Sequence, residues 1–236
     1  MTPTPTQKSF TLDTSGGPVT ITMRKPTSTE VLAYMDKRSL LKQGIRPSAD
    51  ACDDGDYELT ACVTSPSAAQ MEALLEEYPL SNAALRGAFE EMAGGNMLCE
   101  RDDSLATEEH RKAGAVIAFG YGEEVERVIV DGKVQMTEGG VPKLRVKNPQ
   151  VLVLTKLSRY EAKALDLAVS EQGRKSPLPS EVADLVRKHV VARQSVDGEK
   201  ATIAALLDDR PSFLANLGFR LLHAAQAKIA RDAGKS

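Results

Sequence analysis

Two short segments constrain this chain more than any other feature. Lys25-Pro26-Thr27-Ser28-Thr29-Glu30 and Lys156-Leu157-Ser158-Arg159-Tyr160-Glu161 each place a hydroxyl residue three positions before a glutamate. The hydroxyl accepts from the third backbone N–H of a helix while the glutamate reaches back to the cap, so each segment starts a helix as a capping box. The first helix carries Val31, Leu32, Tyr34 and Met35, and the second carries Ala162, Leu165 and Val169. The boxes lie 131 residues apart, and each follows an alternating apolar run that reads as strand.

The surroundings of the two boxes also match. Before the first, Phe10 and Leu12 alternate with polar residues, Gly16-Gly17-Pro18 turns the chain, and Val19, Ile21 and Met23 alternate again. Before the second, Leu144 and Val146 alternate, Asn148-Pro149 breaks the run, and Val151 to Leu154 forms a strand. Later in the first unit, Ser65-Pro66 opens a helix with Met71, Leu74, Leu75 and Tyr78 on one face. Pro79 ends it, Ser81 caps the next helix with Leu85, Phe89 and Met92, and Gly94-Gly95 closes that one. In the second unit Ile203, Leu206 and Leu207 repeat Met71, Leu74 and Leu75 at an offset of 132, Arg210-Pro211 repeats Tyr78-Pro79, and Leu217 and Leu221 repeat Leu85 and Phe89.

This order reads as an internal duplication. The expected fold is α+β and predominantly helical, with two related units at 8–95 and 141–233, each a β-hairpin followed by three to four helices. Between them, 96–140 reads as a charged linker, Glu100 to Lys112, and a hairpin with a type I′ turn at Asp131-Gly132. This insert either extends the second unit's sheet or bridges the two units.

Composition limits the chemistry. Aromatic residues make up 4% with no Trp, so the cores must be built from Leu, Val, Ile, Met and Ala. A net charge of −3 argues against a general nucleic-acid or anionic-membrane binder. Three cysteines, Cys52, Cys62 and Cys99, do not make a disulfide framework and point to a reducing interior. No run approaches the ~18 apolar residues of a membrane span. Met1 to Lys8, rich in Thr and Pro, reads as neither a secretory signal nor a transit peptide. The expected compartment is the cytoplasm.

No catalytic motif is visible, and no cofactor is expected. The cysteines and His110, His189 and His223 lack metal-ligand spacing, and Cys62 reads as a core residue. Asp53-Asp54-Gly55-Asp56 is contiguous, unlike a calcium loop, and reads as a solvated loop. Gly120-Tyr121-Gly122 has no following Gly-Lys-Ser/Thr and reads as a turn. A hydroxyl–imidazole–carboxylate triad is assembled in space, but no G-x-S-x-G elbow supports one. The C-terminal helix carries Leu214, Leu217, Leu221, Leu222, Ala225 and Ile229 and gathers its cations in its C-terminal half, which suits the helix dipole; its last two turns read either as a frayed end or as a handle for a partner helix.

Residues 18–95, about a third of the chain, resemble the tail assembly chaperones of long-tailed phages and prophages. The residues that carry the resemblance are Val19 to Pro26, Glu30, Ala61-Cys62-Val63 with Ser65-Pro66, Glu72 to Pro79, and Leu85 to Gly94. Members of that family are usually shorter and have one such unit, so the second unit would either make this chain a tandem version or serve another role. The resemblance implies a non-enzymatic protein of the host cell cytoplasm. It would bind the long helical tape measure protein, with the tail tube protein as a second partner, and bind neither nucleic acid nor membrane. It would not remain in the finished virion. The alternatives are a structural adaptor or minor component of a phage tail or related injection machine and, second, an enzyme with a spatially assembled site. Partner contact is expected on the last helix of each unit, at Leu85, Phe89, Met92, Leu217, Leu221, Leu222 and Ile229.

Overall fold

A computed structural model of the chain describes residues 6–45, 59–77, 81–95, 97–112, 114–191 and 208–233, with side chains except at 81–82 and 227–233. The expected roles of Asp53 to Asp56, Tyr78-Pro79, Ile203, Leu206 and Leu207 lie outside the described residues.

Strands β1 (Gln7–Thr14) and β2 (Gly17–Arg24) form an antiparallel hairpin with Phe10 opposite Ile21 and Leu12 opposite Val19. Helix α1 (Ser28–Lys42) begins at the expected box: Glu30 N–H donates to Thr27 Oγ1 at 3.3 Å, and Thr27 N–H donates to Glu30 Oε2 at 2.7 Å. Strand β3 (Val63–Ser65) pairs with the other side of β2 and sets Val63 against Met23. Helices α2 (Ala68–Glu77) and α3 (Ser81–Met92) complete this part. The opening of α2 differs from expectation. The Ser65–Pro66 peptide is cis and precedes the helix, and Gln70 Oε1 accepts from Ser67 N–H at 3.0 Å instead. Ile21, Met23, Val31, Tyr34, Cys62, Met71, Leu85, Phe89 and Met92 bury together as a first core, with the Tyr34 and Phe89 rings 5.0 Å apart.

The chain then runs through β4 (Leu98–Arg101), a 3-10 turn at Asp103–Leu105, α4 (Glu108–Lys112) and β5 (Val116–Gly122). Four short strands follow: β6 (Val125–Arg127), β7 (Ile129–Val130), β8 (Lys133–Val134) and β9 (Leu144–Val146). Strand β10 (Gln150–Thr155) leads to α5 (Arg159–Glu171), α6 (Pro179–His189) and α7 (Pro211–Ala233). The second sheet has the order β10-β5-β4. On its far side β10 bridges residue 190, with Leu154 opposite Val190 and Val191 N–H donating to Val153 O at 3.0 Å.

The two box-leading strands therefore have matching neighbours. Ile21 faces Phe10 and Leu152 faces Phe119, while Met23 faces Val63 and Leu154 faces Val190. Phe119, Leu152, Leu154, Val182, Val186, Phe213, Leu217 and Leu221 build the second core.

Three expectations are corrected. The protein is not predominantly helical: it is mixed α+β, 47% helix and 26% strand. The reason is the stretch from Leu98 to Thr155, which holds seven of the ten strands among the described residues. Next, the partner of β10 is β5, whereas Leu144–Val146 pairs with β6. Finally, Gly120-Tyr121-Gly122 is strand, not turn. A Cβ at Gly120 would sit 3.0 Å from Pro149 Cβ, and one at Gly122 would sit 2.7 Å from Val146 Cγ1, so the side chains of Pro149 and Val146 pack directly on the bare backbone of the two glycines.

Helix α1 joins the two cores. Val31 and Tyr34 face the first, and Leu32 packs into the second. Leu178, at the N-cap position of α6, has no side-chain acceptor, and Asp36 of α1 supplies one: Ser180 N–H donates to its Oδ1 at 2.9 Å and Ser180 Oγ to its Oδ2 at 2.6 Å. Gln43 Oε1 likewise accepts from Lys175 N–H at 2.7 Å. At the start of α7, Asp209 pairs with Lys25 and Ser212 N–H donates to Ala93 O at 3.3 Å.

Candidate functional site

The residues expected to contact a partner are core residues. Leu85, Phe89 and Met92 are buried in the first core, and Leu217, Leu221 and Leu222 in the second. Ile229 lies on α7, and its side chain is outside the described residues. A leucine stripe at helical spacing shows that a face is covered without saying by what. Here the stripe of α7 is covered by α6 and α1. Gly218 marks the closest approach, since a Cβ there would sit 2.2 Å from Val182 O.

One concentration of exposed apolar side chains lies instead on an arm between β5 and β10. Residues 123–145 form short strands, yet none of them is buried. The strands close on one another: Val128 N–H donates to Lys143 O at 2.9 Å, Lys143 N–H to Gln135 O at 2.7 Å, and Gln135 N–H to Val128 O at 2.8 Å. The expected type I′ turn is present, with positive φ at Asp131 (51°) and Gly132 (73°). It joins β7 to β8 and sets Ile129 opposite Val134.

Because the backbone groups at this waist satisfy one another, what the arm offers is side chains rather than a sheet edge. Ile129 is 63% exposed, Val141 61% and Met136 54%, with Val130, Val134 and Leu144 also exposed. Between 123 and 145 the arm carries five acidic and four basic residues, so its net charge of −1 is too small to steer a highly charged partner. A ribbon this short with no core of its own is marginal in water, and covering its apolar side chains stabilises it. The sequence signal that could have marked the arm is Ile129, Val130, Val134, Met136 and Val141 standing among charges and turn residues with no complementary apolar stripe nearby.

The root of the arm is held firmly. Glu123 pairs with Arg210 at 2.6 Å, where Arg210 is buried at the start of α7, and Arg145 pairs with Glu126 at 2.6 Å. A shallow cleft of about 500 Å³ lies beside the root, lined by Met97, Tyr121, Glu123, Glu124, Lys147 and Gln150 among others.

Perturbed titratable groups belong to caps and ion pairs. Arg24 donates to both Glu30 oxygens, at 2.9 and 2.6 Å, and with the cap bonds holds that carboxylate down at about 2. The Ser158 hydroxyl and N–H hold Glu161 down at about 2. Burial pushes the Cys62 and Cys99 thiols up to about 11, which disfavours the nucleophilic thiolate at either position.

One hydroxyl, one imidazole and one carboxylate lie close together without a continuous hydrogen-bonded line. Thr155 Oγ1 lies 2.8 Å from His189 Nδ1, and His189 Nε2 lies 3.3 Å from Glu161 Oε1. The Thr155 contact ties the last residue of α6 to β10, whereas His189 Nε2 makes no hydrogen bond among the described residues and Glu161 is committed to Ser158. Among the described residues no group of three or more His, Cys, Asp or Glu is placed to hold a metal ion, and no helix is long and apolar enough to cross a membrane. No protein-family model matches the chain, and no curated protein or solved structure matches it at a significant level.

Proposed function

We propose that this chain is a non-enzymatic tail assembly chaperone, which binds the tape measure protein of a phage tail in the host cell cytoplasm and leaves before the particle is complete. The observation that carries the proposal is the arm: a weakly charged, coreless ribbon with Ile129, Met136 and Val141 largely in water. A tape measure protein exposes a long apolar helical surface before the tube closes round it, and a weakly charged ribbon with bare apolar side chains is suited to covering such a surface. The resemblance of residues 18–95 to this family adds support. The motifs behind it sit at folded corners here: the Thr27–Glu30 cap, the Ser65–Pro66 bend and Gly94 (φ 82°) behind α3.

The test is capture of the tagged chain from cells producing particles, with purified particles assayed in parallel. The proposal expects the tape measure protein in the capture and the chain missing from particles. Recovery of the chain in finished particles would support the structural adaptor instead, and capture without the tape measure protein would refute the proposal.

A further inference from the structure

We propose that α5 is a self-association face on which two copies of this chain pair antiparallel. The inner side of the helix is ordinary, with Ala162 buried in the second core, Leu165 packed against it and Val169 also buried. Its outer side is not. Tyr160, Ala164 and Leu167 fall at i, i+4 and i+7 and form one exposed stripe, with Tyr160 82% and Leu167 61% in water.

The charges beside this stripe point to the occupant. Arg159 and Lys163 stand in the first half of the helix, and Asp166 and Glu171 in the second. Apart from Glu161, which serves the capping box, cations stand in the first half and Glu171 in the last turn, against the helix's own preference, while Asp166 lies just past the middle and also accepts from Gln226 Nε2 of α7 at 3.3 Å. A second copy laid antiparallel reverses the relation. A two-fold axis near Ala164 brings Arg159 and Lys163 over Asp166 and Glu171 of the second copy and opposes the two dipoles. Ala164 at the crossing lets the helices approach closely. Tyr160 reaches Leu167 of the second copy, as a self-complementary interface requires.

One face of a 13-residue helix buries well under the ~1,200–2,000 Å² of a stable complex, so the pairing is weak and concentration-dependent. Its consequence is two arms per assembly, which raises avidity for a long repetitive partner. The pairing itself does not depend on the tail-assembly reading.

The test is sedimentation velocity from about 10 µM to about 1 mM, a range that covers the affinities of weak complexes. The wild-type chain is expected to shift from monomer to dimer, less so at high salt. Tyr160→Asp with Leu167→Asp is expected to abolish the shift while the circular dichroism spectrum stays unchanged. Lys163→Asp is expected to raise the dissociation constant about fivefold, and adding Asp166→Lys to restore it, because the swap keeps the charges complementary. In a chain with Cys52 and Cys99 replaced by Ser, Ala164→Cys should give a disulfide-linked dimer under mild oxidation, and Asp184→Cys on α6 should not. A wild-type chain that stays monomeric throughout would overturn the proposal, as would a dimer indifferent to the Tyr160 and Leu167 substitutions.

Discussion

The two capping glutamates solve one problem with different partners. In the first unit Arg24, on the strand before the cap, clamps Glu30 with two hydrogen bonds. The position 131 residues later is Thr155, too short to reach, and the carboxylate of Glu161 is approached by Lys188 at 3.1 Å and His189 at 3.3 Å. Both glutamates sit at about 2 in the folded chain against an ordinary 4.5. Between those values the unfolded chain binds more protons than the folded one. The stabilisation is therefore complete above about pH 4.5 and is lost as the pH falls through about 2. Arg24→Ala is expected to move the acid transition of the chain to higher pH. At pH 7 it should cost about 1 kcal/mol, the size of a partly exposed ion pair, as read by urea denaturation across the pH range. Asp36 has the opposite sign. Burial raises its carboxyl, so the folded chain binds the extra proton and this group's contribution weakens as the pH rises through its range.

At the scale of elements, the contact between α6 and α7 decides how the second core closes. A Cβ at Gly218 would overlap Val182 O at 2.2 Å. Gly218→Ala gains up to ~1 kcal/mol of helix propensity, but separating two packed helices costs about 1–3 kcal/mol, so the variant should melt lower. A thermal midpoint equal to or above wild type would contradict the packing. Asp36→Ala leaves the N-terminus of α6 without its acceptor and is expected to cost about 1–2 kcal/mol in chemical denaturation.

The elements also show what was legible in the chain. The boxes at Thr27 and Ser158, the turn at Asp131-Gly132 and the close at Gly94 were readable because each is set by a few adjacent residues. The pairing of β10 with β5 was not, because Phe119 and Leu152 meet across the whole arm and nothing local specifies that partner. Gly120 and Gly122 misled because glycine reads first as a turn residue, while here it admits Pro149 and Val146. The candidate site was the least legible part. The leucines of α3 and α7 show apolar faces, but only the packed structure shows those faces covered and the arm bare.

At the scale of the molecule, α1 makes one cooperative body of two cores. Leu32 lies in one core, Val31 and Tyr34 lie in the other, and Lys25–Asp209 ties the units again. Calorimetry should give a single transition with equal calorimetric and van't Hoff enthalpies, and two resolved transitions would contradict this coupling. The arm stands outside that cooperativity, with no buried residue from 123 to 145. Ile129→Asp with Val141→Asp should change stability by no more than about 0.5 kcal/mol while lowering capture of the tape measure protein at least about tenfold.

The most direct measurement places a photo-crosslinking residue at Ile129, on the arm, and in a second chain at Leu41, an exposed apolar position on α1. Both chains are irradiated in cells assembling tails. The account predicts a covalent product with the tape measure protein from position 129 and none from position 41. Equal products from both positions, or none from the arm while the chain still captures the tape measure protein, would contradict it.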